Sequence, residues 1–100
     1  MIGMKVIFAT KEELPEQEQK NLLTRLVEIY KKVPGLKQKY FLSDPKTGEA
    51  GGIYVFESQE ALDKYLESDV WKNVVLANAK EEPKVETFVI AATLDAGVLL

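Results

Sequence analysis

The chain has no histidine and no cysteine. That removes the commonest general base near neutral pH and the commonest metal ligand, along with thiolate nucleophiles, disulfides and cysteine metal sites. Chemistry is left to Tyr, Trp, Asn, Lys, Arg and carboxylates. Among these, Tyr54, Tyr65 and Trp71 combine a flat ring with a hydrogen-bonding tip, so each can stack on a flat ligand and donate to its oxygen. Each taken alone reads first as core packing. Tyr30 and Tyr40 are weaker candidates on the same ground. Tyr54 stands just after a glycine pair, in the stretch "GEAGGIYVFES" (48–58). Glycine weakens a strand, so two in a row need a reason. Gly51 and Gly52 either bend or bulge the strand after its hairpin, or leave a hollow above it, and one feature can do both. Gly51, Gly52, Tyr54, Tyr65 and Trp71 are therefore the candidate substrate pocket, and no residue stands out as its base.

The remaining polar residues are less informative. Asn73 and Asn78 read as solvated. Arg25, the only arginine, is expected to pair with Glu28 or Glu18 on its own helix. Glu12–Glu13 and Glu81–Glu82 are loop neighbours that do not converge on one substrate. "GEAGG" lacks the spacing and the Lys-Ser/Thr ending of a phosphate loop, and no acidic pattern is dense enough for a calcium loop. No metal site is expected. The net charge of −3 argues against a nucleic-acid binder, and Lys37 with Lys39 makes no basic patch. The start, "MIGMKVIFATKEEL", lacks the basic leader of a signal peptide, and no window has the length of a membrane span. Cytoplasmic residence is the default expectation.

The elements that must position these residues follow from patterning. One hundred residues, 46% hydrophobic and 29% charged, suggest one globular domain over 1–100. "MKVIFAT" (4–10) reads as a strand. Pro15, Glu16 and Glu18 open a helix, whose apolar stripe is Leu22, Leu26, Ile29, Tyr30 and Val33, widened by Leu23 and Val27. Pro34–Gly35 ends it. "LKQKYFLSD" (36–44) and "EAGGIYVFE" (49–57) form a hairpin closed by "DPKTG" (44–48). Ser58 caps a helix presenting Ala61, Leu62, Tyr65 and Leu66. "VWKNVVLANA" continues it or forms a second piece, and Pro83 stops it. "KVETFVIAAT" (84–93) is the last strand, followed by an apolar tail, 94–100, with a glycine hinge. The order β-α-β-β-α-β predicts an α+β, ferredoxin-like fold: a four-stranded antiparallel sheet with both helices on one face.

That architecture leaves a face uncovered. Val85, Thr87, Val89 and Ala91 alternate with Phe88, Ile90 and Ala92. Met4, Val6 and Phe8 alternate with Ile7 and Ala9, and Ile53 and Val55 with Tyr54 and Phe56. Strands apolar on both sides mean both faces are covered. Two helices cover one, and the other spans on the order of 400 Å², a size that marks an interaction site. A homodimer, sheet face against sheet face, is the simplest cover. The alternative is a monomer with scattered apolar residues on a solvated sheet. The tail either lies on the partner or frays.

Residues 34–68, "PGLKQKYFLSDPKTGEAGGIYVFESQEALDKYLES", resemble the YdhR-type mono-oxygenases of the dimeric α+β barrel superfamily. Pro34–Gly35, the strand pair with its short turn, "EAGGIYVF", and a helix of the type Ser58…Ala61-Leu62…Tyr65-Leu66 carry the likeness. The strand order of the whole chain agrees. The resemblance implies a homodimer with facing sheets and a pocket in each subunit between sheet and helices. It further implies oxygenation of a flat aromatic or polyketide-like small molecule with no cofactor, neither metal nor flavin. In such a site Trp71 and Tyr65 would bind the substrate and Tyr54 would hydrogen-bond its oxygen. The lack of histidine sets the chain apart from His-dependent relatives, haem-degrading ones included. Two other readings stay open. One is a non-oxidative cyclase or isomerase, which needs a proton-transfer group and no oxygen. The other is a ligand-binding module without catalysis, whose hollow would be closed or bare of polar groups.

Overall fold

The computed structural model describes residues 1–11, 13–95, 98 and 99. Glu12, and the expected hinge at Gly97, lie outside the described residues. Strand β1 (Ile2–Ala9) leads to helix α1 (Glu16–Tyr30), then β2 (Leu36–Asp44) and β3 (Glu49–Phe56). Helix α2 (Gln59–Leu66) follows. After it come a π-helical turn (Trp71–Val75), a 3₁₀ turn (Leu76–Asn78) and β4 (Lys84–Val89). Leu94–Asp95 and Val98–Leu99 make a small separate ladder, β5 and β6. The main sheet has the order β2-β3-β1-β4, antiparallel throughout. This is the ferredoxin-like α+β arrangement.

Local chemistry fixes the elements. The Asp44 carboxylate accepts from the Lys46 N–H at 2.9 Å, and Gly48, at φ +73°, closes the turn by donating to the Asp44 carbonyl. A left-handed residue there favours glycine. The turn pins the hairpin so that Lys39 faces Tyr54 and Phe41 faces Gly52. Ser58 Oγ accepts from the Ala61 N–H at 3.1 Å and starts α2. Acidic Glu16 and Glu18 fill the first turn of α1, directly after Pro15.

The pleat gives the helix-facing side of the sheet Met4, Val6, Tyr54 and Phe56, all buried, and they pack with Tyr30, Leu62, Tyr65, Trp71 and Val75 as one cluster. Helix α1 buries fully only Tyr30, its last residue, and Ile29 of the expected stripe is exposed. The helical layer does not reach the edge strand β4. Val85 and Val89 point to the helix side yet stay 41% and 78% exposed. Strand β4 also stops at Val89 rather than 93. The ladder with β1 ends where Ile2 pairs with Val89, and Ile90 donates one further bond to the Met1 carbonyl.

The opposite face carries Ile7, Leu42, Ile53, Val55, Tyr40 and Phe88, the last two about half exposed. The Phe88 ring lies over Gly3, where a Cβ would strike it. This face also holds Lys5 opposite Glu86, charged residues that an inventory of its apolar positions passes over.

The two glycines have separate tasks. A Cβ on Gly51 would run into the Val6 backbone carbonyl, so Gly51 permits a close approach of β3 to β1. A Cβ on Gly52 would meet Lys39 Cε at 2.9 Å and the Tyr40 carbonyl oxygen at 3.0 Å. Here the missing side chain makes room for another side chain. Gly51→Ala is therefore expected to cost about 2–4 kcal/mol, because backbone must shift. Gly52→Ala should cost about 1 kcal/mol, since a lysine stem yields more easily. Chemical denaturation of both variants checks the ranking.

Candidate functional site

Three buried phenols meet between sheet and helices. Tyr30 comes from the end of α1, Tyr54 from the middle of β3 and Tyr65 from α2. The Tyr30 and Tyr65 hydroxyl oxygens lie 2.7 Å apart, and those of Tyr54 and Tyr65 3.1 Å apart. Tyr65 is the shared partner, so one hydroxyl ties together both helices and the sheet. The rings pack at 5.3–6.1 Å between centroids, within the range of favourable edge and offset contacts. Trp71, at the start of the π-helical turn, sets its ring edgewise 5.7 Å from Tyr65. Its backbone N–H donates to Ser68 Oγ, and that hydroxyl donates to the Tyr65 carbonyl.

Burial raises the pKa of all three phenols, most strongly those of Tyr54 and Tyr65, where neighbouring phenols add to the effect. They remain neutral throughout the ordinary range of pH. Each is a hydrogen-bonding group and none is a base.

Lys39 occupies the hollow over Gly52. Its Nζ stands 3.2 Å from the centre of the Tyr30 ring, 4.3 Å from that of Phe41 and 4.5 Å from that of Tyr54. The ring faces favour an ammonium, whereas loss of water favours the neutral amine. Burial is the cause that shifts this group, and it lowers the amine to about 7. No carboxylate among the described residues forms an ion pair with it.

Beside the phenols, a mainly apolar groove of about 280 Å³ opens between the end of α1 and α2. Ile29, Val33, Pro34 and Tyr65 line it, with Lys32 and Lys64 among its polar residues. Tyr65 thus both lines the groove and takes part in the hydroxyl cluster.

Of the residues singled out from sequence, Tyr54, Tyr65 and Trp71 come together, joined by Tyr30. Gly52 floors the Lys39 hollow, and Gly51 serves the backbone one residue away. Tyr54 and Tyr65 are fully buried members of the core rather than an open rim. Tyr40 lies on the opposite face, where its hydroxyl accepts from Gln38. Asn73 and Asn78 are exposed. Arg25 makes no ion pair among the described residues, and Glu28 bonds Lys31 instead. Lys39 is the residue that sequence reasoning missed. Its signal was present: counting outward from the turn, Asp44 with Glu49 puts Lys39 opposite Tyr54 and next to the place that Gly52 leaves empty. Among the described residues, no group of three or more acidic, histidine or cysteine side chains could hold a metal, and no helix is long and apolar enough to cross a membrane.

Comparison with known proteins agrees with this layout. The model of a family described as "Putative mono-oxygenase ydhR" matches residues 4–96. No curated protein matches the chain significantly. Solved structures share its fold. A protein of unknown function from Nitrosomonas europaea superposes with TM-score 0.70 at 16% identity, over 96% of this chain and 95% of that one. Rv0793 from Mycobacterium tuberculosis gives 0.66 at 15%, over 94% and 98%. SnoaB from Streptomyces nogalater, a cofactor-independent oxygenase, gives 0.63 at 14%, over 93% and 95%. At such identities the likeness is one of fold.

The lowered Lys39 amine makes stability depend on pH. From about pH 7 upward the folded state sheds this proton while the unfolded chain, with an ordinary lysine near 10.4, keeps it. The unfolded state then binds more protons, so stability rises with pH across that window, by up to about 1.4 kcal/mol per unit. Between pH 6 and 9, below phenol ionisation, the wild type should gain stability relative to Lys39→Met. Parallel stability–pH curves for the two proteins would contradict this.

Proposed function

The chain belongs to the ydhR mono-oxygenase family, and on that premise we propose that it oxygenates a flat hydroxyarene, as a homodimer, without metal or flavin. The reading rests on one observation: a shared cluster of neutral phenol hydroxyls beside Trp71, in an apolar layer between sheet and helices. Such a layer suits a flat ring with a polar edge. Family membership and a cofactor-independent oxygenase of the same fold support the choice of chemistry.

The reaction balances with the substrate as sole reductant. A hydroxyarene with a free ring C–H para to its oxygen loses its phenolic proton and becomes an electron-rich anion. The anion reduces O₂ and forms a carbon–oxygen bond. One oxygen atom stays on the ring as the second carbonyl of a quinone. The other leaves as water with the two hydrogens lost. The protein holds the ring, takes up the first proton and supplies hydrogen bonds to the anion. Tyr54 and Tyr65 are neutral donors of the kind that last step needs, and Trp71 offers a stacking surface.

Oxygen-electrode assays on metal- and flavin-free protein, over a panel of hydroxynaphthalenes and hydroxyanthracenes, test this. We expect O₂ uptake matched by quinone formation. Tyr54→Phe should slow it about a hundredfold if that hydroxyl supports the anion, and Trp71→Phe should weaken substrate binding. No uptake across the panel would reject the reading, and oxygen-independent substrate loss would point to a cyclase or isomerase.

The homodimer reading rests on the second sheet face. Its apolar residues surround Lys5 and Glu86, which make no ion pair with each other or with any other described residue. Across a two-fold axis, Lys5 of one copy can meet Glu86 of the other twice over. Light scattering should give twice the chain mass. Glu86→Lys should yield monomer, and adding Lys5→Glu should restore the dimer. A Glu86→Lys variant as dimeric as the wild type would remove this role for the pair.

A further inference from the structure

We propose that Lys39 holds the ligand's place in the free protein and, displaced by an incoming hydroxyarene, accepts the phenolic proton and remains beside the anion as an ammonium. The inference rests on the reading above and supplies the base that the sequence does not reveal.

Three observations converge. First, the space left by Gly52 is filled by a long side chain: Lys39 Cε would stand only 2.9 Å from a Cβ there. A four-carbon stem on the edge strand β2 can swing out where a core residue cannot. Lys39 is partly exposed, unlike the phenols around it. Secondly, the amine is walled by ring faces from three elements: Tyr30 of α1, Phe41 of β2 and Tyr54 of β3. Walls that seat an alkyl-ammonium also seat a flat aromatic ring. Thirdly, the groups facing it leave it free to take a proton. They are Tyr30 and Tyr54, with Tyr65 behind them. All three stay neutral, and no carboxylate among the described residues pairs with the amine. Burial alone poises it near neutrality, where a general base works best.

The step is a simple transfer. The phenolic O–H bond breaks, its electron pair stays on oxygen, and the proton forms a new N–H bond on Nζ. The products are an arenolate and an ammonium in contact. The contact stabilises the anion that must then meet O₂, and it returns Lys39 to the charged form that its ring walls favour.

The test needs no turnover. Every lysine of the folded protein is acetylated with a limiting reagent from pH 5 to 11, and each site is read by mass spectrometry. Lys39 should show its midpoint near pH 7. A Lys39 midpoint near the ordinary lysine value of about 10.4 would overturn the proposal. At pH 7.5, 4-nitrophenol should protect Lys39 and no other lysine, and equal labelling with and without it would also overturn the proposal. Lys39→Met should weaken 4-nitrophenolate binding about tenfold, and Lys39→Arg should restore binding. With the hydroxynaphthalene substrates, Lys39→Arg should stay inactive, because a guanidinium does not accept the proton. Full activity of that variant would refute the base role. A poised and protected Lys39 in a protein that consumes no O₂ would sink the oxygenase reading while upholding proton acceptance.

Discussion

A phenol can be buried only where its hydroxyl finds a partner, and in this protein three solve the problem jointly. Tyr65 stands between Tyr30 and Tyr54. Without its hydroxyl the other two would be left with unmade bonds in an apolar layer, at about 1–3 kcal/mol each. This cluster does more than pack. It sets the depth at which α2 sits on β3, and it holds Tyr30, the one residue of α1 that is fully buried. The Trp71 position follows in turn, because Ser68 links the backbone of Tyr65 to the start of the π-helical turn.

The order of elements, the hairpin turn, the Ser58 cap and the two alternating faces of β1 and β3 were all legible in the sequence, because each is a local pattern with a local cause. What could not be read was extent. Val85 and Val89 have the alternation of covered residues, yet the helices stop short of β4. Alternation reports which way a side chain points and not what stands above it. The end of β4 is a related case: apolar residues run on through 88–92, but the ladder with β1 ends where Ile2 pairs with Val89.

The glycine pair shows the same division within two residues. Composition alone could not separate a bend from a hollow, and the two positions take one task each. Gly51 serves the approach of backbones, and Gly52 admits the Lys39 stem. The second task is non-local. It needs the register, which the turn Asp44–Gly48 supplies, and it needs attention to a residue type that strands usually present to water. Lys39 was weighed only together with Lys37, as a pair too small for a basic patch, and Lys37 does face outward and pairs with Glu57. Neighbouring residues on a strand face opposite sides, so one of two lysines flanking Gln38 would not be expected to differ from the other. A register shift between Leu36 and Gln38 breaks that parity.

A protein without histidine must obtain proton chemistry near pH 7 by moving some other group. Desolvation penalises whichever form is charged. Applied to this layer, one physical cause acts in opposite directions on its two kinds of titratable group. It drives Tyr30, Tyr54 and Tyr65 upward, away from the phenolate, and fixes them as neutral hydrogen-bonding groups. It drives Lys39 downward, away from the ammonium, and leaves an amine able to accept. Donors and acceptor therefore need no separate devices. They arise together because the phenols and the lysine share one largely buried layer, and the lysine's place in it exists because Gly52 carries no side chain.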